Sequence, residues 1–244
     1  MRGVFPPYSL SGAGCPVNDI GDNIERLFVL DYSPMHRRVP RPQLITYTTA
    51  KQVRQLQMLH PRTGAIELDK LTVVVSIDGA CRNNGKPTAR ASWGVYFGPG
   101  SRYNTSGLLS PELPQTSSRA EIEALSRAID TIREFSHQDM TLQDIKIRCD
   151  SEYLCQAMSM WIEGWIENDG LRSNGRAVAH FDKLREIHDK IDDMTYGDDG
   201  GLHLQFWNVP REENQEADEL ANSALDGVTS PALESKQLRF GMED

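Results

Sequence analysis

Four carboxylates stand where a folded chain could gather them. Asp78 follows the apolar run TVVVSI, Glu121 sits within SSRAEIEAL, Asp150 follows IKIRC, and Asp218 lies within NQEADELA. Ligands collect at the carboxyl ends of strands in an α/β sheet, so parallel neighbours would bring Asp78 and Asp150 into one crevice. An aspartate that simply turns the chain after a strand is the other reading of each. Glu121 closes an S-x-x-E pattern with Ser118, which is by itself sufficient reason for a glutamate there. At helical spacing it also shares a face with Leu125 and Ala128, while Glu123 turns about 200° away and reads as a solvated charge. Asp218 abuts the stripe Ala217, Leu220, Ala221 and Ala224, with Glu216 and Glu219 directed to water. A plain helix-surface aspartate is its alternative. If the four converged, they would form an all-oxygen site suited to Mg²⁺ or Mn²⁺. Two such ions about 4 Å apart can activate a water and stabilise the leaving oxygen of a phosphodiester.

The elements that must position these groups begin near residue 71. TVVVSI suits a central strand covered on both faces and ending in the turn-like DGACRNNG. WGVYF and RYNTSGLL are two further strands. A helix spans Ser118 to Phe135, with Ile122, Leu125, Ile129 and Ile132 along one face. IKIRC alternates as a strand, and residues 152 to 194 are mainly helical apart from NDGLRSNGR. LHLQFW is a last strand, and Asn214 to Leu225 a last helix. The fold class is α/β. Residues 1–69, with scattered prolines, the basic patch His36-Arg37-Arg38 and one helix around Thr48 to Leu59, read as an extension that is partly disordered or peripheral. Residues 70–228 then form the domain and 229–244 a tail.

The 244 residues carry 39% hydrophobic and 25% charged side chains, enough for a sizeable core. No apolar run approaches the roughly 20 residues that span a bilayer, and no signal peptide is evident, so an intracellular protein of nucleus or cytoplasm, not secreted, is expected. The four cysteines form no C-x-x-C pair, which speaks for reduced thiols over a zinc site or a disulfide framework. A net charge of -9 argues against binding nucleic acid by broad electrostatics, yet clustered carboxylates for cations account for part of it.

The strings DGACRNNG, QTSSRAEIEAL, CDSEYL with MWIEGWIEN, and NQEADELA, in that order, resemble the type 1 ribonuclease H family over about residues 71–227. The resemblance implies a mixed five-stranded sheet flanked by helices and endonucleolytic cutting of the RNA strand of RNA/DNA hybrids with two Mg²⁺ ions, Mn²⁺ able to substitute. It implies that Asp78, Glu121 and Asp150 hold the metals directly and that Asp218 completes the second site. Asn84 matches the residue directed at the RNA 2'-hydroxyl, the group that separates RNA from DNA. Thr116 and Arg119 match the segment that seats the DNA strand, with Ser117 and Ser118 in place of the usual amides. Trp161 and Trp165 match the tryptophans of the DNA channel, and as an i, i+4 pair they also suit core packing.

The chain departs from that pattern in two places. The loop before the last helix is the short VPREEN, without the family's histidine, although V-P-R-E-x-N has precedent in the reverse-transcriptase-like branch. The stretch after Trp165 keeps only Arg172 and Arg176 where lysines are usual, which lowers the number of phosphate contacts. His180 falls near a phosphate-pocket asparagine of the family, and is otherwise a structural histidine. Two readings follow. One is an active monomeric nuclease. The other is a weakened nucleic-acid-binding or scaffold protein that docks a partner through residues 1–69. Four mutually repelling carboxylates favour the first.

Overall fold

A computed structural model describes residues 24–139, 141–196 and 201–227, together with a small antiparallel pair, β1 (Ser9–Leu10) and β2 (Pro16–Val17). The expected tail at 229–244 lies outside the described residues.

The fold is built on one long strand. In TVVVSI one face is wholly apolar and the other carries Val74 between Thr72 and Ser76, and all six side chains are buried, so the strand is covered on both faces. Its Val73, Val75 and Ile77 enter one core, and Val74 enters a second on the opposite face. This strand, β6 (Thr72–Arg82), runs on past the turn expected at Asp78. It continues because β7 (Arg90–Tyr96) pairs with it antiparallel from Ser76 to Arg82 and satisfies its backbone. The reversal comes only at Asn83 and Gly85, both at positive φ.

The expected mixed five-stranded sheet is present. β9 (Asp144–Cys149) runs parallel to β6, β10 (His203–Asn208) parallel to β9, and β8 (Thr105–Leu108) antiparallel to β7. Three more strands join it: β3 (Ile45–Thr48), β4 (Val53–Leu59) and β5 (Ile66–Leu68). The helix expected at 48–59 is therefore a hairpin and a strand. β7 leaves the first half of the β6 edge open, and β4 takes it, with Arg54 opposite Val74 and the Arg54 amide donating to the Phe97 carbonyl. Pairing across the chain overrides a weak local preference.

On the first face α2 (Ser117–Ser136) and α5 (Phe181–Tyr196) close the main core, which includes Leu125, Ile129, Ile187 and Ile191. α6 (Gln215–Leu225) covers the other face, where the Ser92 hydroxyl donates to the Ala221 carbonyl. Beside it lie α1 (Arg41–Leu44) and a strap that runs along β10, with the Phe28 amide donating to the Phe206 carbonyl. Phe28, Leu30, Val39, Leu44, Leu56, Val74, Trp207 and Val209 form the second core. Between β9 and α5, the short α3 (Glu152–Gln156), a π turn (Ala157–Trp161) and α4 (Ile162–Glu167) follow one another. Among the described residues no helix is long and apolar enough to cross a membrane.

Leu56 is fully buried in the second core. Leu56→Ala should lower stability by about 2–5 kcal/mol, the cost of a core truncation, measured by urea unfolding. A change within about 0.5 kcal/mol, typical of surface positions, would mean that the hairpin is peripheral.

Candidate active site

Parallel pairing of β6 with β9 reaches Ser76 opposite Arg148. Continuing that register by two residues brings Asp78 level with Asp150, the first residue beyond β9. Asp78 is 7% exposed and accepts from the Gly79 amide at 2.7 Å. Burial, then Asp150, push its pKa up to about 7 against the Gly79 bond, with smaller pushes from Asp218 and Glu121. A single carboxyl thus feels the other three. Burial also raises Glu121, opposed by a bond from the Ser151 hydroxyl and reinforced by Asp150. Asp218 accepts from the Arg211 guanidinium and the Asn222 amide, each at 3.0 Å.

Two glycines let the helices come this close. A Cβ on Gly79 would lie 2.3 Å from the backbone nitrogen of Glu121. One on Gly94, the cross-strand partner of Asp78, would lie 2.5 Å from the Ala217 carbonyl oxygen. Glu121 and Asp218 are therefore carried by helices seated backbone to backbone on the strands around Asp78. Gly94 shows this in the sequence by its place inside the strand WGVYF, where glycine marks a close approach, whereas Gly79 reads there as part of a turn.

The capping reading of Glu121 does not hold. Thr116 is the N-cap of α2, its hydroxyl accepting from the Arg119 amide at 3.2 Å, so Glu121 lies beyond the first turn. Glu123 is not solvated either. It is 7% exposed between Arg119 at 3.2 Å and Arg127 at 2.9 Å, two cations that make its burial tolerable. Glu216 and Glu219 are exposed, in line with their expected direction.

The four carboxylates sense one another without touching. Among the described residues no three His, Cys, Asp or Glu side chains close into a ligand set as they stand. By chemistry the donors fit a hard divalent cation, since every one is a carboxylate oxygen.

Around the carboxylates, Asn84 is exposed on the turn after β6, and its side-chain amide reaches the Ser117 hydroxyl at 3.4 Å. It thereby joins Thr116 at the start of α2. Arg119 is 6% exposed, and its Nη1 has no hydrogen-bond partner. His180, at a left-handed φ of 59°, is held below the usual imidazole range by burial and then by Arg119. Trp161 and Trp165 stand 5.7 Å apart by ring centroid, and Tyr153 lies 6.2 and 6.4 Å from them. Trp165 packs on the main core, so the packing reading applies to it. Nothing in the sequence points to Tyr153 or Ser151, whose contacts cross between elements, whereas Asn222, one turn after Asp218 on the same helix, could have been found from its i, i+4 spacing.

A carboxyl held up at about 7 is stabilising while protonated; that share is complete below about pH 4 and is lost as pH rises through about 7. In EDTA the wild type should therefore lose a few kcal/mol over that window, since each tenfold change in proton affinity is worth about 1.4 kcal/mol. Asp78→Asn should keep it. Urea unfolding of both across the range should show the gap widening with pH, and parallel curves would contradict the clustering.

The chain matches the family model for RNase H over residues 70–226. Ribonuclease H1 of Mus musculus is 32% identical over 154 residues, which are 62% of this chain and 49% of that protein. Ribonuclease H of Schizosaccharomyces pombe is 34% identical over 148 residues, 61% of this chain and 51% of that one. The chain thus spans about half the length of these relatives. A solved ribonuclease H1 isolated from compost has a TM-score of 0.47 and 24% identity, with 63% of this chain and 95% of that chain covered. Because the family match takes in well over half of the chain and begins just before β6, the chain belongs to the ribonuclease H family.

Proposed function

We propose that this chain hydrolyses the RNA strand of RNA/DNA hybrids endonucleolytically and leaves 5'-phosphate and 3'-hydroxyl ends. The observation that carries the reading is the convergence on Asp78, which is nearly buried, level with Asp150 by the β6–β9 register, and flanked by the helices of Glu121 and Asp218 seated on Gly79 and Gly94. Such a cluster is costly in a folded protein and is repaid by a site that takes up cations. Asp78, Glu121, Asp150 and Asp218 would hold two Mg²⁺ ions, or Mn²⁺ in their place. Bound there, the ions supply the activation of water and the neutralisation of charge on the leaving oxygen.

The chain's own groups orient and bind. The Ser151 hydroxyl keeps Glu121 facing Asp150, and Arg211 with Asn222 fixes the Asp218 carboxylate. Asn84 presents its amide to the 2'-hydroxyl of the RNA strand. Thr116 and Arg119 seat a phosphate of the DNA strand, the unpartnered Arg119 Nη1 and the nearby His180 lending support. Trp161, flanked by Tyr153 and Trp165, offers an aromatic wall to the DNA sugars. Residues 70–228 form the reacting unit of an intracellular monomer, and residues 1–69 are an extension whose strands β3, β4 and β5 are built onto the sheet and whose remainder is open to protein partners. A weakened binding protein is the second reading, favoured by the sparse cations after Trp165, where exposed Arg172 and Arg176 stand in place of a lysine-rich stretch.

Purified protein given labelled hybrid, RNA duplex or DNA duplex with Mg²⁺ should cut only the RNA of the hybrid. Asp78→Asn should lower kcat at least about 100-fold. Asn84→Ala should lower kcat/KM on hybrid about 10-fold, the worth of one good hydrogen bond. Folded wild type that cuts nothing in either Mg²⁺ or Mn²⁺ would leave the binding reading.

A further inference from the structure

An asparagine at the start of a helix ordinarily turns its side chain onto the amides of the first turn. Asn214 is the N-cap of α6, yet its side chain makes no such bond. It is 1% exposed and reaches across to β6, where Nδ2 donates to the Ile77 carbonyl at 2.9 Å. Only the amide end can face a carbonyl, so the orientation is unambiguous. Its Oδ1 is buried without a partner. The side chain thus satisfies a carbonyl of β6 beyond the end of the β6–β9 ladder instead of an amide of its own helix, at the cost of one unmatched oxygen.

The two ends of that bond adjoin the site. Ile77 immediately precedes Asp78, and Asn214 precedes Asp218 by one helical turn, its carbonyl accepting from the Asp218 amide at 3.3 Å. One side chain therefore spans the backbone between two carboxylates of the site. A second tie runs beside it. Arg148, two residues before Asp150 and 5% exposed, donates to the Glu213 carbonyl at 2.9 Å and lies 3.3 Å from its carboxylate. The guanidinium rests on the Trp207 ring, 5.0 Å from the centroid. Adjacent residues 213 and 214 thus fasten the short loop to both strands that lead into aspartates.

We propose that Asn214, backed by the Arg148–Glu213 pair, is a positioning residue that sets the spacing of Asp218 from Asp78 and Asp150. The inference rests on the reading of these carboxylates as the ion site. Freed from β6, the first turn of α6 shifts and the site loses its grip on a cation. The contacts of Asn84, Thr116 and Arg119 with hybrid lie on other elements and are untouched.

The full chain and Asn214→Ala are compared by Mn²⁺ calorimetry and by hybrid cleavage over a range of Mg²⁺. Asn214→Ala should weaken Mn²⁺ binding about 10-fold and raise the half-saturating Mg²⁺ by a similar factor, while KM for hybrid stays within about 2-fold. Added to Asp218→Asn, it should weaken Mn²⁺ binding no further, because both changes disable one ligand. Glu213→Gln leaves the buried asparagine intact and should show a smaller shift in the same direction, which keeps the claim testable if Asn214→Ala does not fold. Unchanged Mn²⁺ affinity in both variants, or an effect of Asn214→Ala that adds fully to that of Asp218→Asn, would overturn the proposal. Calorimetry separates it from the activity: wild type that binds Mn²⁺ but cuts no hybrid sinks the nuclease reading alone, and wild type that binds no Mn²⁺ sinks both.

Discussion

Like charges in a poorly solvated place repel, and the arrangement of this chain answers to that repulsion. Asp78 is nearly buried and feels three more carboxylates, so each element that carries one must be pinned against being pushed away. The pinning is mostly backbone. β6 and β9 are fixed by their ladder up to Ser76 and Arg148, two residues short of the aspartates. α2 and α6 are fixed by resting on Gly79 and Gly94, where not even a methyl group would fit. Side chains add the final alignment through Ser151, Arg211 and Asn222.

The second face of the sheet buries charge of the opposite sign. Arg54 and Arg148 lie buried there, Arg54 lowered to about 10 first by burial and then by Arg148. Each has a local answer: Arg54 donates to the Ser76 hydroxyl and lies over the Tyr96 ring, and Arg148 is met by Glu213. Lys146 joins Gln205 and Asp144 beneath Phe28. The strap and hairpin pack as a second core through apolar side chains such as Phe28, Leu44 and Leu56, and Phe28 covers the Lys146 ammonium. A buried charge stripped of its cover and partners would cost several kcal/mol.

Much of this is legible in the sequence. Long periodic segments such as Ile122 to Ile132, and apolar runs that end in an aspartate, announce both their structure and the side chain they carry. Asp218 is legible for the same reason, since its helix shows a clear stripe of alanines. What escapes the sequence is what depends on a distant partner. β4 is a strand because β6 leaves an edge open beside it, and nothing local in VRQLQML says so. Glu123 is buried because Arg119 and Arg127 flank it, although its angle on the helix points it away from the sheet. Asn214 looks like an ordinary cap until the strand it reaches is in place.

Asp78, Glu121, Asp150 and Asp218 are proposed to act as one cation site. Mn²⁺ titration by calorimetry of the wild type and of the Asp→Asn or Glu→Gln variant at each position tests it most directly, with Glu123→Gln as the neighbour that should not matter. All four changes should weaken binding, each by about 10-fold or more, and Glu123→Gln should leave it unchanged. Binding that survives the loss of any two of the four, or that falls as far with Glu123→Gln, would contradict the account.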